Sequence, residues 1–239
     1  MRFYGDRRGD GVVQLSFTLP VAASARAKEA AKRMAEQLGL TQVLVATMES
    51  AGADFSFFVV YGRSSVELDL AQVEVPEVAI PAWSPKEVNT LVKERLARRV
   101  VVVGACTGAD AHTVGIDAIL NMKGYSGDKG LEAYPWFSAH NLGAQVDNAA
   151  LLARAEELGA DAVLVSQVIT QRDCHKENAS DLMEQARRRA TLRRTLFLLG
   201  GPRIDHALAQ GLGFDAGFGP GTRPSQVASY IVGQLLRRA

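Results

Sequence analysis

Asp110-Ala111-His112-Thr113-Val114-Gly115 brings together the side chains of this sequence best suited to chemistry. Imidazole is the commonest metal ligand, and a carboxylate two residues away is well placed to hold its second ring nitrogen and raise the basicity of the first. Eleven positions past His112 stands Lys123, in Asn121-Met122-Lys123-Gly124-Tyr125. A lone lysine in a loop is by itself most simply a solvated charge.

The surrounding sequence shows how these residues are positioned. The apolar run Val100-Val101-Val102-Val103 leads into the pattern, and an apolar, helix-like segment from Ile116 to Met122 follows it. The histidine therefore falls in a strand-to-helix loop. Strands are expected near 99–104, 133–138, 161–166, 194–199 and 213–216. Helices are expected at about 114–123, 147–159, 178–191, 203–211 and 223–238. This alternation predicts a doubly wound parallel sheet, and strands such as Ala162-Val163-Leu164-Val165 are apolar throughout, as expected when both faces are covered. Ligands of such sheets gather at the carboxyl ends of strands near the point where strand order reverses. Gly104 to Gly115, Ser166-Gln167 and Gly200-Gly201-Pro202-Arg203 lie at three such ends.

The first region reads differently. Val12 to Leu19 alternates as a strand and Pro20 ends it; Ala22 to Leu38 is helical and Gly39 closes it. Gln42 to Met48 and Asp54 to Tyr61 are strands joined by a turn. This small α+β unit holds no cluster of nucleophile, base or ligands, so packing or oligomerisation is its expected use. From 62 to 83 the chain is transitional: Val73, Val75, Val78 and Ile80 alternate with Glu74, Glu77, Pro76 and Pro81, as an edge strand or an extended linker. Ser84-Pro85 then opens a helix running to about Arg98. The expected domains are 1–83 and 84–239.

Composition narrows the class. The 239 residues are 47% apolar and 22% charged with net charge +1, which gives no reason to expect nucleic acid or an acidic membrane surface. The arginines of 187–189 and 193–194 read as a solvated helical face. Cys106 and Cys174 make neither a disulfide framework nor a Cys-x-x-Cys pair, which suits a reducing cytoplasm. No apolar run approaches the ~20 residues of a membrane span, and Met1 to Asp6 has no apolar signal core.

Asp110, His112 and Gly115, with Ser166 and Gly200-Gly201 after later strands, resemble the cobalamin-binding domain of base-off, His-on mutases and methionine synthase. The resemblance implies that His112 replaces the nucleotide base below cobalt and that Asp110 orients it. Gly115, Ser166, Gly200 and Gly201 would lie along the buried nucleotide tail, where glycine lets backbone approach a bulky ligand. Gly217, Gly219 and Gly221 would line that tail or make a turn. One departure is that Ser166-Gln167-Val168 stands where the family has Ser-x-Leu.

Longer blocks narrow the resemblance. Asp110 to Ile119, Asn121 to Tyr125, Asn141 to Val146, Leu164 to Gln167, Gly200 to Ile204 and Asp215 to Gly221 resemble the beta subunits of lysine 5,6-aminomutases. The first region is similar to the dimerisation domain of those subunits, with weaker motifs. The resemblance implies a Rossmann-like cobalamin-binding domain and two cofactors, adenosylcobalamin and pyridoxal phosphate. It also implies a large barrel-shaped alpha subunit in an alpha2beta2 assembly, and a radical 1,2-amino shift on D-lysine or L-beta-lysine. Lys123 matches the lysine that holds pyridoxal phosphate as a Schiff base. Tyr125, Asn141 and Gln145 match the blocks without an evident role; His140, His175 and His206 have no comparable setting. Two rivals are a cobalamin carrier or sensor, which needs His112 but not Lys123, and an ornithine aminomutase relative, which calls for a longer chain containing the barrel. A flavin- or nucleotide-binding protein is disfavoured, because no Gly-x-Gly-x-x-Gly or phosphate-loop pattern follows the first strand of the second region.

Overall fold

The computed structural model describes residues 1–5, 7, 9–73 and 78–238. The chain divides into two compact units, Met1–Val75 and Pro76–Ala239.

In the first unit, β1 (Val12–Leu19), α1 (Ala25–Gln37), β2 (Thr41–Ser50) and β3 (Ser56–Arg63) form an antiparallel sheet of order β1-β3-β2 with one covering helix. Ser24 caps α1 by accepting from Ala27 N at 3.1 Å. Three buried alanines, Ala27, Ala31 and Ala35, recur at helical spacing and let the helix lie close to the sheet. The alternation of β1 and β3 sends Leu15, Phe17, Phe58 and Val60 to that side. On the opposite face, Phe57, Val59 and Tyr61 of the central strand remain at least partly exposed.

In the second unit, α2 (Pro85–Leu91) precedes alternating strands and helices: β4 (Val100–Cys106), α3 (Val114–Leu120), β5 (Phe137–Asn141), α4 (Asn148–Leu158), β6 (Ala162–Ser166), α5 (Cys174–Arg187), β7 (Leu196–Gly200), α6 (His206–Gly211), β8 (Ala216–Phe218) and α7 (Pro224–Arg238). The sheet is parallel, of order β5-β4-β6-β7-β8. Val100, Val102, Leu164 and Leu198 pack against α2, α3 and α7, while Val103, Ala105, Val163 and Leu199 pack against α4, α5 and α6. With both faces covered, the inner strands β4, β6 and β7 show the apolar runs read from sequence, whereas the edge strand β5 carries Ser138, His140 and Asn141. Strand order reverses between β4 and β6, and Cys106, Ser166 and Gly200 lie side by side at the carboxyl edge.

Several boundaries differ from expectation for identifiable reasons. Residues 84–98 form α2 and then a π-helical turn, Val92–Leu96, ended by Ala97 in the left-handed region (φ 55°). The strand expected from 133 begins at Phe137, because Pro135 follows a single 3-10 turn at Leu131–Ala133. α3 stops at Leu120, because Asn121 turns extended (ψ 149°). Lys123 therefore sits on a turn and not on the helix. Of the transitional segment, Glu74 to Glu77 lie outside the described residues; Val78, Ile80 and Trp83 pack against the core of the second unit, so that unit begins before residue 84.

Candidate functional site

The loop that leaves β4 is fixed by backbone. Cys106 N donates to Gly143 O at 2.8 Å, Val146 N to Cys106 O at 3.0 Å, and Gly108 N to Val146 O at 3.0 Å. Asp110 turns inward and is 2% exposed. One carboxylate oxygen accepts from His112 N at 3.0 Å and from His112 Nδ1 at 2.9 Å. The other accepts from Val168 N and, at 3.2 Å, from Ile169 N. Burial pushes this carboxyl up, but the hydrogen bonds from Val168, His112 and Ile169 together outweigh it and hold it below the usual carboxylate range. An ionised Asp110 can only accept, so the network assigns the ring proton to Nδ1. Nε2 then carries the lone pair, on a side chain 58% exposed and with no partner at that nitrogen among the described residues. Below it, the Cys106 thiol, pushed up to about 11 by burial, stays protonated and donates to His112 O at 3.1 Å.

Beside this pair opens an apolar cavity of about 260 Å³ between α3, the ends of β6, β7 and β8, and α7. Gly115, Ser166, Gly200, Gly201, Gly219 and Gly221 all line it, with Ile119, Leu164, Val168, Leu198 and Phe218 supplying apolar wall. Gly201 is required for close approach, since a Cβ there would lie 2.1 Å from Gln167 O, whereas one on Gly115 would lie 2.8 Å from Ser166 Oγ, which would have to turn aside. Such a site suits a particular kind of metal group. His112 presents one donor, and no cluster of three or more His, Cys, Asp or Glu that could hold an ion occurs among the described residues. A metal held by one protein nitrogen must bring the rest of its coordination shell, as a corrin does, and the apolar cavity is of a size and character to take a flat aromatic tail.

Residues 100–228 match the B12 binding domain family, and residues 1–77 match the dimerisation domain of d-ornithine 4,5-aminomutase. The chain is 45% identical over 238 residues to the lysine 5,6-aminomutase beta subunit of Fusobacterium nucleatum subsp. nucleatum, covering 100% of this chain and 90% of that one. It is 46% identical over 232 residues to the lysine 5,6-aminomutase beta subunit of Acetoanaerobium sticklandii, covering 97% and 88%. The chain belongs to the lysine 5,6-aminomutase beta-subunit family. A more distant relative is the D-ornithine 4,5-aminomutase subunit beta of Acetoanaerobium sticklandii, 28% identical over 226 residues. That match covers 94% of this chain but only 29% of the ornithine protein, the difference in length foreseen for that rival.

Within this beta-subunit family member, the structure brings Asp110, His112, Gly115, Ser166, Gly200, Gly201, Gly219 and Gly221 to one edge of the sheet. It does not bring Gly217 there. A Cβ on Gly217 would meet Asp205 O at 2.2 Å and Ala209 Cβ at 2.7 Å, so this glycine serves the packing of α6 on β8. Lys123 is exposed, outside the cavity lining and without an ion pair among the described residues; Tyr125, two residues on, does line the cavity. His140 pairs with Ser138 Oγ at 3.0 Å, His206 Nδ1 accepts from Gly217 N at 3.3 Å, and His175 is buried on α5. The departure at Val168 is explained: its backbone N–H does the polar work and its side chain only lines the cavity.

Sequence reasoning assigned no role to two groups. Buried Gln167 donates to Thr107 Oγ1 at 2.7 Å and Thr107 O at 3.2 Å, and Asn178 donates to the same Oγ1 at 2.6 Å. This network ties the loop after β4 to the loop after β6 and to α5, just beyond the paired ends Cys106 and Ser166. A glutamine directly after an apolar strand was the available signal. Gln145, in the left-handed region (φ 55°), donates its N–H to Asp110 O at 3.0 Å. Among the described residues, no helix is long and apolar enough to cross a membrane.

Proposed function

We propose that this chain is the beta subunit of an adenosylcobalamin- and pyridoxal-phosphate-dependent lysine 5,6-aminomutase, acting on D-lysine or L-beta-lysine with a large barrel-shaped alpha subunit in an alpha2beta2 assembly. The observation that carries the reading is the Asp110–His112 pair, a buried anion on Nδ1 and an Nε2 with no partner among the described residues, set beside an apolar cavity. His112 would ligate cobalt through Nε2, and Asp110 would hold its tautomer and strengthen it as a donor. Gly115, Ser166, Gly200, Gly201, Gly219 and Gly221 would hold the nucleotide tail. Lys123 would supply the amine that holds pyridoxal phosphate, its exposure suiting a cofactor held largely by the partner subunit. When bound, adenosylcobalamin supplies a homolytically cleavable cobalt–carbon bond and pyridoxal phosphate an electron sink; the protein supplies placement and exclusion of water.

The test is the electron paramagnetic resonance spectrum of the cobalamin-loaded chain with cobalt reduced to the divalent state. Imidazole nitrogen coupling is expected, and His112→Ala should abolish it. A spectrum in which cobalt keeps its own dimethylbenzimidazole would overturn the reading.

A further inference from the structure

Lys123 projects from a turn that is fastened far more tightly than a solvated lysine requires. α3 is pressed onto β4 at Gly104, where an added Cβ would lie 2.7 Å from Leu120 and 2.8 Å from Ile116. Asn141 is the register partner of Gly104 on β5, and it reaches across to the end of α3. Both hydrogens of its amide are used, one donated to Asp117 Oδ1 at 2.6 Å and the other to Asn121 Oδ1 at 2.9 Å. Its oxygen accepts from Gly143 N at 3.0 Å, so the amide is fully committed.

Asn121 is the residue on which the turn hangs. Its carbonyl accepts from Gly124 N at 2.9 Å, closing the turn around Lys123. The returning chain crosses directly over it, since a Cβ on Gly130 would lie 2.0 Å from Asn121 O. Met122 N, beside the lysine, donates to Glu132 Oε2 at 2.8 Å, and Ser225 N of α7 donates to Asp128 Oδ2 at 3.1 Å, fastening the far side. The side chains of Asp117, Asn121, Asp128, Glu132 and Asn141 all hold the turn through hydrogen bonds, whereas the exposed Lys123 has no ion pair among the described residues.

From this geometry we infer that Asn141 is a positioning residue for Lys123, acting through Asp117 and Asn121 to hold the lysine-bearing turn at a fixed place at the end of α3. The inference rests on the reading that Lys123 condenses with pyridoxal phosphate. It gives a role to Asn141 and Asp117, neither of which lines the cavity beside His112.

The experiment uses the chain assembled with its large subunit, incubated with pyridoxal phosphate and reduced with borohydride. The phosphopyridoxyl group on Lys123 is then counted by peptide mass spectrometry as a function of time. Asn141→Asp keeps the shape of the side chain but removes both donated hydrogens and sets a second carboxylate against Asp117. The expected result is a fall of about 10- to 100-fold in the rate of labelling at Lys123, the scale set by misplacing a reacting group by about an ångström. Cobalamin binding at His112 should be unchanged. The double variant Asp117→Asn with Asn141→Asp inverts donor and acceptor, with Asn121 turning its amide so that its NH2 donates to the new carboxylate, and should restore labelling, which a general loss of folding would not allow. Labelling of Asn141→Asp at the unaltered rate would overturn the inference, as would a parallel loss of cobalamin binding or a failure of the double variant to recover. If the unaltered assembly is not labelled at Lys123, the functional reading itself fails and takes the inference with it.

Discussion

Asp110 shows how a single side chain can set the chemistry of another. Replacing it with asparagine keeps its size but exchanges an anion that accepts from four donors for an amide with one oxygen. Part of that donor set must then face an NH2 group or go unpaired. Asp110→Asn is expected to lower cobalamin affinity by about 10- to 100-fold, the usual effect of losing the partner of a metal-bound histidine. It should also destabilise the fold by about 1–3 kcal/mol through the buried unpaired donors. Absorbance titration with cobalamin and urea unfolding read the two effects, and unchanged affinity would remove Asp110 from the site. The thiols give a second prediction. Cys106 is buried and pushed up to about 11, whereas Cys174 is exposed. A thiol-alkylating reagent at pH 8 should modify Cys174 alone in the native chain and both in denaturant, as mass spectrometry would show. At this scale the pair Asp110–His112 was legible because both members lie in one short motif. The amides of Gln145, Val168 and Ile169 were not, because a backbone donor leaves no mark on residue type.

The elements separate residues that sequence places together. Gly217, Gly219 and Gly221 look alike in a row, but β8 turns the first toward α6 while the others lie beyond the strand at the cavity. Gly217→Ala would drive a methyl into Asp205 O, and overpacking of this kind costs about 1–3 kcal/mol. The folded fraction should still bind cobalamin normally. Gly201→Ala presses instead on Gln167 O, within the loop whose next two amides hold Asp110. It should weaken cobalamin binding even at temperatures where the variant remains folded, so thermal unfolding and cobalamin titration distinguish the two glycines. Strand and helix alternation was readable because the inner strands β4, β6 and β7 are apolar and polar-faced helical segments lie between them. The ends were not: the halt of α3 at Leu120 depends on Gly130 crossing Asn121, a contact that no local pattern encodes.

For the whole molecule, the two units divide the work. The second gathers its site at the carboxyl edge where strand order reverses between β4 and β6, as the fold class foretells. Among its described residues the first gathers no such site, but its sheet keeps one face partly exposed. Phe57, Val59 and Tyr61 of the central strand share that face, with Leu44 paired beside Tyr61, and Gln14, Ser16, Thr18 and Glu49 flank them. An apolar centre with a polar rim is the anatomy of a protein contact. A second copy of this chain, which would meet this apolar centre with its own, is the occupant to test. Val59 is at the middle of the face and half-buried already in one copy. Val59→Lys places a charge there while leaving the alanine-lined core on the other side untouched. It should cost the isolated chain no more than about 1 kcal/mol, the span of strand preferences, yet abolish association. Sedimentation of the full chain with and without the substitution tests this: a dimer that becomes a folded monomer supports self-pairing through this face. A monomer before substitution would show that this face does not pair with itself, and a dimer that survives substitution would move self-association elsewhere on the chain.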